Sequence, residues 1–395
     1  MIRWYYFCGL LSLVWCHVKH HSKGEVWPKP RYTLKKATFF TFSPSEFQFS
    51  IINRNCLILE NAVTRYKAVL NDFYKISQRE LKKRESWSQK KDIKFMFRRY
   101  RVEKVAREEN RKRYQGIIQG LKINLTQPCD EYPNFGMNEN YTLSVSKTAI
   151  LYSDSLWGIV RGMETFSQLF YLSTNFEEVR INTTEIEDYP RYAHRGLMLD
   201  TARHFISVDN ILKTLDAMAM NKMNVFHWHI VDDESFPFES QRIPELSELG
   251  AFHNSMVYTK FDIMNVIEYA RQRGIRVIPE FDVPGHTTSW GVAYPYVLTK
   301  CYGIFLGPMN PIKNNTYKLI NNLFQEVQEW FPEKYFHIGG NGVDLKCWLS
   351  NLEIQQYMTK NNITNPKKLL GLFMLKIIQD FNKDTSPILW QVKNF

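Results

Sequence analysis

The chain has 395 residues, room for one large domain or two ordinary ones. Hydrophobic residues make up 44% and charged residues 23%, a globular balance, and no internal run of 18 uncharged apolar residues could span a membrane. The net charge of +11 is uneven: Arg79 to Arg113 holds 15 Lys/Arg against 6 Asp/Glu, so the remainder is close to neutral. The aromatic residues in that stretch (Trp87, Phe95, Phe97, Tyr100) follow no nucleic-acid motif. It reads as a solvated charged helix or an insertion over 79–113, and no nucleic-acid partner is expected.

The chain opens with Ile2-Arg3, a short basic start, and then Trp4 to Cys16, almost wholly apolar. That pattern predicts a secretory signal peptide over 1–22, with no membrane span once it is removed. Cys8 and Cys16 would leave with it. The four remaining cysteines permit three pairings, of which Cys56–Cys129 and Cys301–Cys347 are expected, each closing a loop inside one domain. Sequons stand at Asn124, Asn140, Asn182, Asn314 and Asn362, so these asparagines are expected to carry glycans on a secretory route to the lysosome or the cell exterior.

Residues 32–187 read as a small α/β domain. Thr38 to Phe42 and Glu46 to Ile51 are strand-like, and Gly120 to Leu125 and Tyr141 to Val145 add two more strands. Cys56 to Tyr74 has apolar residues at helical spacing, and Ser153-Asp154-Ser155 caps a helix through Leu156, Ile159, Met163, Phe166 and Leu169. Asp188-Tyr189-Pro190-Arg191 is a turn-like boundary.

From 188 to 395 the rhythm changes. Strand-like runs at Gly196–Asp200, Asn224–Val231, Arg276–Phe281, Tyr335–Ile338 and Ile388–Trp390 alternate with helical runs at Val208–Asn221, Lys260–Arg273, Thr316–Phe331 and Pro366–Phe381. Such alternation implies a parallel sheet with crossover helices. Polar residues follow the strands directly: Asp200 with Arg203, Asp232-Asp233, Asp282 with His286, Asn341 with Asp344. Functional groups at the C-terminal ends of parallel strands suit a TIM-type barrel, with a doubly wound sheet as the alternative from pattern alone. About five β/α units fit where a closed barrel needs eight, so the barrel is expected to be incomplete, its remainder belonging to a longer protein or supplied from elsewhere.

The run Phe336-His337-Ile338-Gly339-Gly340-Asn341-Gly342-Val343-Asp344 resembles the H-x-G-G-D-E signature of glycoside hydrolase family 20, the β-N-acetylhexosaminidases. The runs Tyr189 to His204, Asn221 to Asp233, Glu280 to Gly291 and Gly307 to Pro311, with Cys347-Trp348, are similar to the animal lysosomal-type members. The resemblance covers nearly the whole chain from Phe40, apart from the basic insertion. It implies hydrolysis of a terminal β-linked N-acetylglucosamine or N-acetylgalactosamine, with the sugar's own acetamido oxygen as nucleophile. The partner implied is therefore a glycan ending in N-acetylhexosamine, and a homo- or hetero-dimer with a full-length subunit is a further expectation.

Carried over position by position, the resemblance makes Arg203 the grip on the sugar hydroxyls, with an ion pair to Asp200 as the alternative role. It makes Asp232 and His286 a pair that tunes the catalytic acid. The motif's Asp and Glu are replaced here by Asn341 and Gly342. Asn341 can still hydrogen-bond an acetamido group but offers no charge, and Gly342 offers no acid. Loss of a general acid costs roughly 10²–10⁴ in rate, so weak or absent turnover is expected, with a non-catalytic amino-sugar-binding or subunit-partner protein as the alternative. Asp344 lies two residues too far on to replace the Glu. His227, His229 and His337 read as packing and hydrogen-bonding residues. The histidines show no usual ligand spacing, so no metal or cofactor is expected.

Overall fold

The computed structural model describes residues 22–88, 108, 110–173, 178–301 and 306–390. The expected signal peptide therefore lies almost wholly outside the described residues, as does most of the basic insertion. Two compact units emerge. One comprises the chain up to Cys129 together with Asn138–Arg191, the other Asp130–Met137 together with the chain from Tyr192 onward.

The first unit contains β1 (Tyr32–Thr41), β2 (Gln48–Asn53), α1 (Leu57–Ser88), β3 (Tyr114–Ile117), β4 (Gly120–Leu125), β5 (Tyr141–Val145), β6 (Thr148–Ser153), α2 (Leu156–Gln168), β7 (Tyr171–Leu172) and β8 (Val179–Asp188). Its mixed sheet runs β2-β4-β6-β5-β8-β1-β3, with β7 paired to β8. Leu121, Ile123 and Leu125 alternate inward along β4 and are fully buried. Leu59, Ala62, Tyr66 and Leu70 form the buried stripe of α1. Ser155 caps α2 by accepting the Trp157 N–H at 3.1 Å. α1 runs 14 residues beyond the expected Tyr74, into the basic stretch. Strands β6 and β8 were not anticipated.

The second unit carries the parallel sheet. Its elements are β9 (Gly196–Asp200), α3 (Val208–Met220), β10 (Val225–Val231), α4 (Glu245–Gly250), α5 (Lys260–Arg271), β11 (Arg276–Val283), α6 (Thr288–Ala293), β12 (Leu298–Lys300), β13 (Leu306–Met309), α7 (Asn314–Trp330), β14 (Tyr335–Gly339), α8 (Leu345–Ser350), α9 (Leu352–Lys360), α10 (Pro366–Ile378) and β15 (Ser386–Ile388). The sheet order is β9-β10-β11-β14-β15, every pair parallel and in chain order. Among the described residues it is an open sheet of five strands. The last strand ends at Ile388, earlier than the sequence suggested, and Trp390 follows it with its backbone N–H on the Gly339 carbonyl at 2.9 Å.

β11 is buried along its whole length, as a central parallel strand should be. Phe281 packs edge-on against Phe238 and Phe336, and all three are buried. A side chain of that size contributes about 1.5–3 kcal/mol on burial, so this packing holds the strand ends in register. A capping box, Thr259 with Asp262, starts α5. No described helix is long and apolar enough to cross a membrane.

Candidate active site

The C-terminal ends of β9, β10, β11 and β14 converge on one constellation. Asp200 ends β9, and its Oδ1 accepts the backbone N–H groups of Ala202 (3.1 Å) and Arg203 (3.0 Å). This turn folds Arg203 back over the strand ends. Its Nη1 pairs with Asp200 Oδ2 at 2.6 Å and its Nη2 with Asp232 Oδ2 at 2.8 Å, while its side chain stays 45% exposed. The ion pair with Asp200 is therefore real, and the exposed part of the guanidinium still has donors to offer a ligand.

Asp232 follows β10 and is almost completely buried. Its Oδ1 lies 3.0 Å from His286 Nδ1 and its Oδ2 2.7 Å from His229 Nε2. Burial opposes its charge, but the hydrogen bonds from His229 and His286 outweigh that and hold the carboxyl far below the ordinary range. The hydrogen bond to Asp232 raises the His286 pKa above the ordinary histidine value, against burial.

Behind this pair lies Glu280, a fully buried carboxylate in the middle of β11. His229 Nδ1 and His337 Nδ1 each stand 3.0 Å from it, Trp390 Nε1 donates to it at 2.6 Å, and His227 Nε2 approaches at 2.6 Å. The His227 contact is close but poorly angled for a hydrogen bond. His229 Nε2 bonds Asp232 Oδ2 and its Nδ1 faces Glu280 Oε2, an arrangement that favours the doubly protonated cation. Accordingly, although burial opposes the charge, the bonds to Asp232 and Glu280 push its pKa up to about 10. His227, His229 and His337, expected as packing and hydrogen-bonding residues, all have ring nitrogens against Glu280.

Spacing along the chain gave no hint of metal-ligand groupings, yet among the described residues the fold assembles three: His227 with Glu280 and His337; Asp200 with His229 and Asp232; Asp232 with Asp233 and His286. Within each, candidate ligand atoms lie within 4.8 Å of one another. They come from different strands, so linear spacing could not reveal them. The hydrogen bonds and ion pairs just described already engage most of these atoms.

Asn341 and Gly342 follow β14 and arrive beside His286. Gly342 is exposed, with φ +62. A β-carbon built on it would collide with Nε2 of the His286 ring and lie 2.8 Å from Cδ2. The Asn341 side-chain oxygen is buried with no hydrogen-bond partner. Gly339, also left-handed at φ +67, lies so close to the Asp282 carboxyl that no side chain would fit. Asp282 Oδ1 accepts the Gly340 N–H at 2.9 Å, and burial pushes its pKa up to about 8 despite that bond. Asp344 caps α8, accepting from the backbone N–H groups of Lys346 and Cys347.

The family description "Glycosyl hydrolase family 20, catalytic domain" matches residues 192–393, and "beta-acetyl hexosaminidase like" matches residues 26–169. The chain belongs to glycosyl hydrolase family 20. It is 40% identical over 369 residues to the beta-hexosaminidase subunit alpha of Bos taurus, covering 90% of this chain and 64% of that protein. It is 40% identical over 381 residues to the beta-hexosaminidase subunit beta of Homo sapiens, covering 93% and 63%. The chain thus spans just under two thirds of these curated relatives. Among solved structures, the Flavobacterium johnsoniae chitobiase superposes with a TM-score of 0.75 at 29% identity, over 94% of this chain and 53% of that one. The Vibrio harveyi family 20 exo-β-N-acetylglucosaminidase shares the fold, with a TM-score of 0.66 at 24% identity, over 95% and 60%.

Within this family 20 chain the two expected disulfides are present, Cys56–Cys129 and Cys301–Cys347. Of the sequon asparagines, Asn140, Asn314 and Asn362 are exposed. Asn124 is half-buried and bonded to Asn53, and the Asn182 amide donates to the carbonyls of Lys36 and Thr38. The residue that sequence reasoning missed is Glu280. Its signal was a carboxylate in mid-strand, two residues before Asp282, inside the otherwise apolar run Val277 to Val283.

Proposed function

We propose that this chain binds a terminal β-linked N-acetylhexosamine at the C-terminal ends of β9 to β14 and hydrolyses it only slowly. The observation that carries this reading is the convergence of Arg203, Asp232 and His286 on the Asn341-Gly342 turn. Arg203 grips the sugar hydroxyls with its exposed donors. Asn341 brings a side-chain oxygen without a hydrogen-bond partner among the described residues; it is buried, and a turn of the amide toward the site would let it meet an acetamido N–H. No carboxylic acid stands at 342, so bond cleavage lacks the family's acid and slows by roughly 10²–10⁴. Ligand-detected NMR with N-acetylglucosamine, together with turnover of a chromogenic β-N-acetylglucosaminide, tests it. Saturable binding with slow release of chromophore is expected. Absence of binding would remove the reading.

The printed names of the relatives, subunits alpha and beta, support a second element: a homo- or hetero-dimer with a full-length subunit. Sedimentation of the purified chain, alone and mixed with such a subunit, reads this directly. The two disulfides and the exposed sequons at Asn140, Asn314 and Asn362 support glycosylation in an oxidising secretory compartment, lysosomal or extracellular.

A further inference from the structure

We propose that His286 serves as the proton donor of this site, its Nε2 occupying the space that a side chain on residue 342 would need and facing the scissile glycosidic oxygen. The inference rests on the amino-sugar reading above and deepens it. Three geometric facts carry it. The His286 ring stands over Gly342, where a β-carbon would meet its Nε2 and approach Cε1 to 3.0 Å. Its other nitrogen, Nδ1, is tied to Asp232 Oδ1 at 3.0 Å, so the ring is oriented from behind. Nε2 has no hydrogen bond to any described residue, and the side chain is 20% exposed, so a ligand can reach it.

The groups around the ring favour its charged form. Asp232 and Asp233 face Nδ1 from the loop after β10, at 3.0 and 3.7 Å. Asp282 faces it from β11, and Arg203 from the turn after β9, with Nη2 3.4 Å from Nδ1. The turn after β14 brings Gly342 against it. The hydrogen bond to Asp232, with the neighbouring carboxyl groups of Asp282, Asp232 and Asp233, raises the His286 pKa against burial and favours the imidazolium.

The step balances without any outside reagent but water. The acetamido oxygen of the sugar attacks C1 and forms the new C–O bond. The bond from C1 to the glycosidic oxygen breaks, and its electron pair takes the proton from His286 Nε2, releasing the alcohol. The neutral imidazole, still donating from Nδ1 to Asp232, then takes a proton from the water that attacks C1. The cyclic intermediate opens to the free amino sugar and the imidazolium is restored.

Leaving-group dependence tests this, because a good leaving group needs little proton transfer and a poor one needs much. The purified chain and its His286→Gln variant are assayed on the 2,4-dinitrophenyl and the phenyl N-acetyl-β-glucosaminides, with N-acetylglucosamine binding measured in parallel. The expected result is a loss of roughly 100-fold on the phenyl glycoside and a much smaller loss on the dinitrophenyl glycoside. In the unmodified chain, turnover of the phenyl glycoside should also fall as pH rises through the raised histidine range, a readout that needs no variant. Equal losses on both substrates would make His286 merely structural and overturn the proposal. So would sugar binding with no phenyl glycoside turnover, though that leaves the binding reading intact. Absence of binding by the unmodified chain would bring down both.

Discussion

Nε2 of His286 stands where a β-carbon on residue 342 would lie, so in this backbone the imidazole and a side chain at 342 exclude each other. The relationship explains how a glycine at the motif's acid position is accommodated. The peptide at 342 turns left-handed and the His286 ring, from the loop after β11, stands over it.

Gly342→Ala is therefore expected to destabilise the fold although the residue is exposed. A left-handed backbone costs an L-residue about 1–2 kcal/mol, and the new methyl must displace the imidazole from Asp232. Thermal unfolding reads the loss. The same strain should blunt any gain from Asn341→Asp with Gly342→Glu, because the new acid would evict the ring that now fills its place.

Asp282 sets a pH dependence of stability. Between about pH 4 and pH 8 the folded chain keeps a proton on this carboxyl that the unfolded chain has released. Stability thus declines as pH rises through that window, on the order of 1 kcal/mol per unit for one proton. Asp282→Asn keeps an acceptor for the Gly340 N–H and carries no charge, so the variant should gain on the wild type steadily from pH 4 to 8. A difference curve isolates this effect from Asp232 and Glu280. Their depressed pKa values contribute stability that is lost only as pH falls below the ordinary carboxylate range.

The Cys301–Cys347 bridge joins the end of β12 to α8, across 46 residues. Serines at both positions should lower unfolding free energy by about 2–5 kcal/mol, read by denaturant titration. Arg203 and His286 lie on other elements, so sugar binding at low temperature should persist in that variant.

The parallel sheet was legible because its central strands are buried and therefore form mostly apolar runs, each followed by a polar cluster. Arg276–Val283 is buried throughout, whereas the edge strand Gly196–Asp200 is only partly buried and was legible from its short apolar run ahead of Asp200 and Arg203. Strand β8 was not legible. Its sequence, Val-Arg-Ile-Asn-Thr-Thr-Glu-Ile-Glu-Asp, buries Val179, Ile181 and Ile186 but interleaves them with charges that mask the alternation. At the site, Arg203, Asp232, His286, Asn341 and Gly342 could be singled out from motif resemblance, and the fold brings them together. The ring of His286 over Gly342, and Glu280 held among His229, His337 and Trp390, depend on loop and strand packing that no linear spacing encodes.

Calorimetric titration of the chain with N-acetylglucosamine, alongside Arg203→Ala, is the most direct measurement of whether an amino-sugar pocket persists beside Gly342. The expected result is millimolar affinity, about −4 kcal/mol, weakened at least tenfold in Arg203→Ala, consistent with about 1.5–3 kcal/mol for charged hydrogen bonds. No heat from the unmodified chain at millimolar sugar, or equal affinity in the variant, would contradict the account.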